Sequence, residues 1–207
     1  VLDIADFWLR HPRCTFGFQM TAHDYEYPSD LERDITLGDG ARIHLRAIRP
    51  DDEERLISFH DHLSGQTAYQ RFFNAWRHLP RDTAHFLANV DYRRRLALVA
   101  EHKEGACRTL VGVARYDCTD QPDIAEIAFV IQDEWQNRGL GTIMLEALLT
   151  AAAERGIDRF RAYVLASNGR MLDMLTRFTD IRERHTEGGV TELLLTRRPP
   201  PTGRRSR

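Results

Sequence analysis

Apolar and polar residues alternate over 42–47, where Ile43, Leu45 and Ala47 are spaced by Arg42, His44 and Arg46. That period of two predicts a half-buried strand following the Gly38-Asp39-Gly40 turn. Pro50 and Asp51, with Glu54 three residues on, then read as the start of a helix carrying Leu56, Phe59 and Leu63, which stops near Gly65. Two further helical stretches cover roughly 67–74 and 81–89, followed by strand-like runs at 96–101, 109–118 and 124–131. Leu140, Ile143, Met144, Ala147, Leu148 and Ala151 fall on one face of a 3.6-residue period, so the pattern predicts a strong amphipathic helix ended by Gly156. A strand at 159–165, a helix facing inward through Met171, Met174, Leu175 and Phe178, and a terminal hairpin through Gly188-Gly189 complete the pattern. Helices after the first strand, three successive strands and then alternating elements describe a single mixed α/β domain.

At 207 residues, with 42% hydrophobic and 9% aromatic content, the chain has enough apolar material for one full core. A formal charge of −2 argues against a dedicated nucleic-acid binder. Charge is unevenly spread: residues 1–40 hold eight acids against three bases, and 197–207 hold five Arg and no acid. The first 36 residues, rich in aromatics such as Phe7, Trp8, Phe16, Phe18 and Tyr27, read as an extension packed on a domain at 37–196. The Arg- and Pro-rich stretch 197–207 reads as a disordered, solvated tail. Three cysteines without a paired spacing indicate free thiols in a reducing compartment and no zinc framework. No apolar run reaches the roughly 18 residues a membrane span needs, and no charged-then-apolar leader opens the chain. A cytoplasmic protein with no membrane partner is the expectation.

Chemistry concentrates in one stretch. The strand Ala125–Ile131 runs into Gln136-Asn137-Arg138-Gly139-Leu140-Gly141-Thr142 and so into the amphipathic helix. A helix start leaves backbone N–H groups unpaired beside the positive end of the helix dipole, which suits an anion. Glycines allow close backbone approach, and Arg138 adds a cation. Tight turning alone accounts equally well for Gly-x-Gly. A P-loop is excluded because no Gly-Lys-Ser/Thr follows, and a dinucleotide fingerprint fits poorly because Met144 stands where its third glycine belongs.

Gln136-x-x-Gly139-x-Gly141 between such a strand and helix resembles the acetyl-CoA motif of the GCN5-related N-acetyltransferases (GNAT), and Val164–Met171 is similar to that superfamily's next strand and following Asn. Leu63-Ser64-x-x-Thr67-x-Tyr69-x-Arg71-Phe72-Phe73, Asp91-Tyr92 and Ala97–Ala100 are similar to a narrower branch, the bacterial protein lysine acetyltransferases. The superfamily likeness runs over roughly 37–196. It implies a mostly antiparallel central sheet, splayed at the acetyl-CoA site and flanked by helices. It also implies pyrophosphate on the backbone of Arg138, Gly139, Leu140, Gly141 and Thr142, next to Gln136 and Asn137, with the pantetheine arm along Phe129, Val130 and Ile131 and held by Asn168 and Met171. Asn168 reads equally as a helix N-cap. The branch further implies a lysine on a protein substrate, for example a metabolic enzyme such as an acyl-CoA synthetase, and a fused or associated regulatory domain.

Only the free amine attacks a thioester, and a lysine near pKa 10.4 is no more than about 0.1% free at pH 7. Glu126, on one strand face with Ala128 and Val130, is the carboxylate placed to serve as base, the role that the resembled enzymes give a Glu at this strand position. Its alternative is a structural pair with Arg115 on a neighbouring strand. Backbone N–H of Phe129 or Val130 would stabilise the tetrahedral intermediate. Leu175 stands where many members of the superfamily have a Tyr as acid, which leaves the acid unassigned between Tyr163 and water. Asp133 and Glu134 read as solvated, Cys118 as an idle thiol, and His60-x-His62 as a poor metal pair. A small-molecule amine acceptor, or a non-enzymatic acyl-CoA-binding domain, keeps the same cradle with a different outcome.

Overall fold

The computed structural model describes residues 26–73, 76–105, 107–121 and 123–198. Its strands are β1 (Arg33–Thr36), β2 (Arg42–Ala47), β3 (Arg95–Glu104), β4 (Cys107–Cys118), β5 (Ile124–Ile131), β6 (Arg159–Leu165), β7 (Thr179–Glu187) and β8 (Val190–Arg197). The helices are α1 (Glu53–Asp61), α2 (Gly65–Phe72), α3 (Arg81–Ala88), α4 (Leu140–Ala153) and α5 (Gly169–Phe178). All strands join one sheet in the order β1-β2-β3-β4-β5-β6-β8-β7. Neighbours are antiparallel except β5 and β6, which run parallel. The α4 crossover is what a parallel pair requires.

Strand alternation sorts β5 between two cores. Ala125, Ile127 and Phe129 join the apolar cluster that contains Leu140, Met144, Leu145 and Leu148 of α4. Val130 joins the opposite cluster, with Leu56 and Phe59 of α1, Phe72 of α2 and Ala84 and Ala88 of α3. The sheet therefore carries helices on both faces. On the α4 side β4 comes close enough that a Cβ at Gly112 would lie 2.7 Å from Ile131 Cδ1 and 2.9 Å from Met144 Sδ.

Three boundaries differ from the pattern-based reading. Arg33–Thr36 forms an edge strand on β2, although no alternation announced it, because the turn at 37–41 folds the chain back into register Thr36↔Arg42. The first helix begins as a 3₁₀ turn at Pro50–Asp52, and Asp52, not Asp51, accepts the Arg49 N–H at 2.9 Å. Glu54 instead pairs with Arg81 at 2.5 Å. Finally, Arg197 closes β8, and Arg198 donates to the Arg177 carbonyl at 2.6 Å, so both belong to the sheet end. Residues 1–25 and 199–207 lie outside the described residues. Among the described residues Tyr27 packs on the domain: its hydroxyl donates to Glu32 (2.8 Å), its ring meets Tyr92 edge-on, and Arg49 lies 4.6 Å above it.

Asp52 turns inward because Arg46 claims it. Arg46 is 3% exposed and sits in a buried network, 2.7 Å from Asp52 Oδ2 and 2.5 Å from Glu101 Oε1. Arg55 reaches the same two carboxylates at 2.8 and 2.6 Å. The shift in β3 register between Ala100 and Glu101 belongs to this arrangement, since it falls where Glu101 enters the network. Replacing Arg46 with Met leaves two buried carboxylates short of their main partner, and urea unfolding of that variant should show a loss of about 3–5 kcal/mol.

His60 provides a pH handle. It is 4% exposed, stacks obliquely on Phe72, and neither ring nitrogen has a hydrogen-bond partner among the described residues. Burial lowers its pKa below the ordinary 6.5 despite Asp61 nearby. A depressed histidine is neutral when folded, so the unfolded chain binds the extra proton and stability falls as pH drops through about 6.5. His60→Phe should flatten that part of a Tm-against-pH curve; an unchanged slope would assign the pH dependence to other groups.

Candidate active site

The site begins where a ladder stops. β5 and β6 pair only from Ile124↔Arg159 to Glu126↔Arg161. Beyond that β5 stays on β4 as far as Ile131↔Gly112, and β6 stays on β8 as far as Leu165↔Val190. The two strands separate, and a cleft of about 810 Å³ opens between them. Its wall includes Glu126–Ile131 of β5, Ala162–Val164 of β6, residues 66, 67, 70 and 71 of α2, the turn at 136–142, and the inner face of α5.

Alternation settles which β5 groups face the gap. Gln132 N–H donates to the Val111 carbonyl on the β4 side, whereas the Ile131 carbonyl accepts from Gln136 Nε2 at 3.0 Å on the other. With unbroken register to β4, the backbone of Ile127, Phe129 and Ile131 points toward the gap and that of Val130 toward β4. Of the two oxyanion donors anticipated from sequence, this geometry offers Phe129 and removes Val130.

The cleft floor ends at the N-terminus of α4. Asn137 and Gly139 take positive φ, +62° and +85°, which aims the chain into the helix. Gly139 is the N-cap, no side chain caps it, and the first turn holds no acid. The early N–H groups of a 14-residue helix are thus left for whatever enters. A Cβ on Gly141 would meet Met174 Sδ at an ordinary 3.5 Å, so the protein's own packing does not demand glycine there.

Phe129, Val130, Ile131, Gln136, Asn137, Gly139, Gly141, Thr142, Asn168 and Met171 line the same cleft as Glu126. Two residues of the anticipated set do not. Leu140 is fully buried in the α4 core, leaving only its main chain. Arg138 turns away to pair with Asp39 and lie 4.2 Å above the Trp135 ring. Its role as the cradle's cation is corrected accordingly, because Asp39 and the indole hold the guanidinium elsewhere. The cation found at that end is Arg170, which sequence reasoning missed; its Nη1 donates to Gln136 Oε1 at 2.6 Å. Its position two residues past Asn168 was the available signal.

Asp133 is an exposed loop acid, as read from sequence, but it is tied to α2. It accepts from Ser64 N–H (2.9 Å), Ser64 Oγ (2.8 Å) and Thr67 Oγ1 (2.8 Å). Partial burial works against its ionisation, yet these donors hold its carboxyl below the usual range. The result ties the start of α2 to the turn before the cradle. Asn168 does cap α5, its Oδ1 accepting from Met171 N–H at 3.2 Å. Leu175 is 1% exposed in the core. Burial, with Glu192 adding to it, pushes the Tyr163 phenol up to about 12.

Glu126 is half-buried and faces Asp117 across the β4 register. Arg115 is bound to Asp117 at 2.8 Å, which also holds Arg95 at 2.8 Å. Burial resists that ionisation, yet the two arginines keep the Asp117 carboxyl down at about 2. Among the described residues no cluster of three or more His, Cys, Asp or Glu could hold a metal ion, and no helix is long and apolar enough to cross a membrane.

Residues 42–178, which carry the splayed parallel pair and the uncapped, glycine-opened helix start, match the family model for an acetyltransferase (GNAT) domain. The chain belongs to the GNAT acetyltransferase family. It is 34% identical to the GNAT domain of S. lividans PAT, with a TM-score of 0.74 over 83% of this chain and 99% of that one. It is 32% identical to the acetyltransferase Pat of Mycolicibacterium smegmatis over 75% of this chain and 46% of Pat. A cAMP-binding acyltransferase from Mycobacterium smegmatis aligns at 27% identity and a TM-score of 0.55, over 83% of this chain and 49% of its own. The GNAT chain described here therefore spans about half the length of those two longer relatives.

Gly141→Asp places bulk and negative charge at the helix start. Titration calorimetry should find coenzyme A binding weakened by at least about tenfold, while Gly141→Ala, whose methyl has room against Met174, keeps the wild-type melting temperature. Wild-type affinity in the Asp variant would mean that the anion docks elsewhere.

Proposed function

We propose that this chain is the catalytic part of an acetyl-CoA-dependent N-acetyltransferase that modifies lysine side chains of proteins. The observation that carries the reading is Glu126, a carboxylate on the wall of the same cleft whose floor is the bare start of α4. Acetyl-CoA, when bound, supplies an activated acyl group on a thioester. The α4 first turn, with Arg170 beside it, suits the cofactor's phosphates, and the β5 edge at Phe129 suits its amide-bearing arm. Glu126 takes a proton from the lysine ammonium so that the free amine can attack directly within a ternary complex. The Phe129 N–H is available to the acyl oxygen as negative charge grows there. Leu175 supplies no proton to the departing thiolate, which at pKa around 8.5 leaves without strong assistance.

Charge supports a lysine within a protein over a free polyamine. The carboxylates on the cleft wall are Glu126, Asp133 and Asp173, and Asp133 is spent on Ser64 and Thr67. Arg71, Arg170 and Arg177 share the wall, so the cleft is poorly suited to an acceptor with several positive charges. The length relation to Pat and to the cAMP-binding acyltransferase supports a regulatory segment elsewhere in the full protein.

Mass spectrometry of lysate proteins incubated with the enzyme and isotopically labelled acetyl-CoA should reveal labelled lysines. Glu126→Gln should cut turnover by roughly 100-fold at neutral pH with coenzyme A binding nearly intact. Label only on small amines would assign a different acceptor, and undiminished turnover in the variant at neutral and low pH would remove Glu126 from the role.

A further inference from the structure

Ser64 and Thr67 do more than start α2. Ser64 is its N-cap, the Oγ accepting from Thr67 N–H at 3.2 Å, and both hydroxyls donate to Asp133 Oδ1 at 2.8 Å. From Thr67 the contacts continue into the cleft. Gln136 Nε2 lies 3.3 Å from Thr67 Oγ1 and 3.0 Å from the Ile131 carbonyl, and Gln136 Oε1 accepts from Arg170 Nη1 at 2.6 Å. Gln136 follows β5 and Arg170 follows β6, so this last bond joins the segments that lie beyond the two separated strands, beside the start of α4.

Counting hydrogens fixes the direction of each bond. Asp133 is held ionised and only accepts, so Thr67 Oγ1 gives it its single hydrogen and can only accept from Gln136. The Ile131 carbonyl is likewise an acceptor. Both hydrogens of the Gln136 amide are therefore claimed, and its oxygen is left for Arg170. Turning the amide over would leave the Ile131 carbonyl and the Arg170 guanidinium each facing the wrong group.

We propose that Thr67 is a positioning residue for the cofactor's phosphates: backed by Asp133, it locks the Gln136 amide so that its oxygen holds the Arg170 guanidinium beside the bare first turn of α4. The proposal rests on acetyl-CoA occupying this cleft with its phosphates at that turn. Arg170 is exposed, and an exposed arginine free to sample its rotamers gives up that freedom when it meets an anion. A guanidinium already held gives up less. Its holder is a neutral amide, so its charge stays available to the anion. Arg71 and Arg177 line the same cleft; the bond to the turn that leads into α4 is what sets Arg170 apart.

The test compares wild type, Thr67→Val, Thr67→Ser, Arg170→Ala and the Thr67→Val/Arg170→Ala double variant, each with its Tm. Coenzyme A affinity is read by titration calorimetry. Pantetheine, which keeps the amide-bearing arm and lacks the phosphates, is followed by ligand-observed NMR. Thr67→Val keeps the side chain's shape without its hydroxyl and should weaken coenzyme A about fivefold while leaving pantetheine unchanged. Thr67→Ser should stay within about twofold of wild type, and the double variant should bind coenzyme A no worse than Arg170→Ala alone. A folded Thr67→Val protein with wild-type coenzyme A affinity overturns the proposal. So does an equal loss for both ligands, which would make Thr67 a general support of the cleft, and so does a further loss in the double variant. If Thr67→Val does not fold, Thr67→Ala carries the same comparison. If wild type itself binds pantetheine as tightly as coenzyme A, the placement of the phosphates at α4 falls first; if wild type prefers coenzyme A and Thr67→Val keeps that preference in full, only the role of Thr67 falls.

Discussion

Three residue pairs hold β5 to β6, and the rest of the site follows from the ladder ending there. Each strand is secured on its outer side, β5 by β4 and β6 by β8, so the separation costs the sheet little. It leaves backbone N–H and C=O groups of β5 facing a gap, where they need a partner. The parallel connection between the two strands demands a crossover, and that crossover is α4. Its N-terminus therefore has to start at the end of the gap. An edge of unpaired backbone and an uncapped helix start are thus placed together by topology, before any side chain is chosen. A long, amide-rich molecule ending in phosphates satisfies both.

The distribution of charge shows how the fold keeps this place selective. Several arginines of the domain are paired off outside the cleft: Arg138 with Asp39, Arg115 and Arg95 with Asp117, Arg46 with Asp52 and Glu101. Asp133, in the loop before the turn, is held by Ser64 and Thr67 and so serves α2 rather than repelling an anion. What remains on the cleft wall are Arg71 of α2 and Arg170 and Arg177 of α5, with Glu126 on β5 and Asp173 on α5. The cleft is polar where charge must be handled and apolar along β5.

Much of this was legible in the residues. The α4 face, the β5 alternation that separates Glu126 from Phe129, and the glycines of the turn each rest on a local rule, and each is found at its anticipated residues. What escaped depends on distant partners. Nothing local in Arg33–Thr36 marks a strand, because its order comes from β2. Arg138 looked like the anion's cation because Asp39, 99 residues away, is invisible to a reading along the chain. The donors that tie exposed Asp133 to the start of α2 were hidden for the same reason, since they lie some 66–69 residues away. The choice between Phe129 and Val130 needed only the direction of alternate peptide groups, which sequence spacing alone does not orient.

Amide hydrogen exchange, measured residue by residue with and without acetyl-CoA, reads the central claim at the backbone itself. Slowed exchange should concentrate at the amides of residues 139–142 and of Phe129, by about tenfold or more at saturating ligand. Protection confined to other segments, with the α4 start and the β5 edge exchanging as before, would contradict the account.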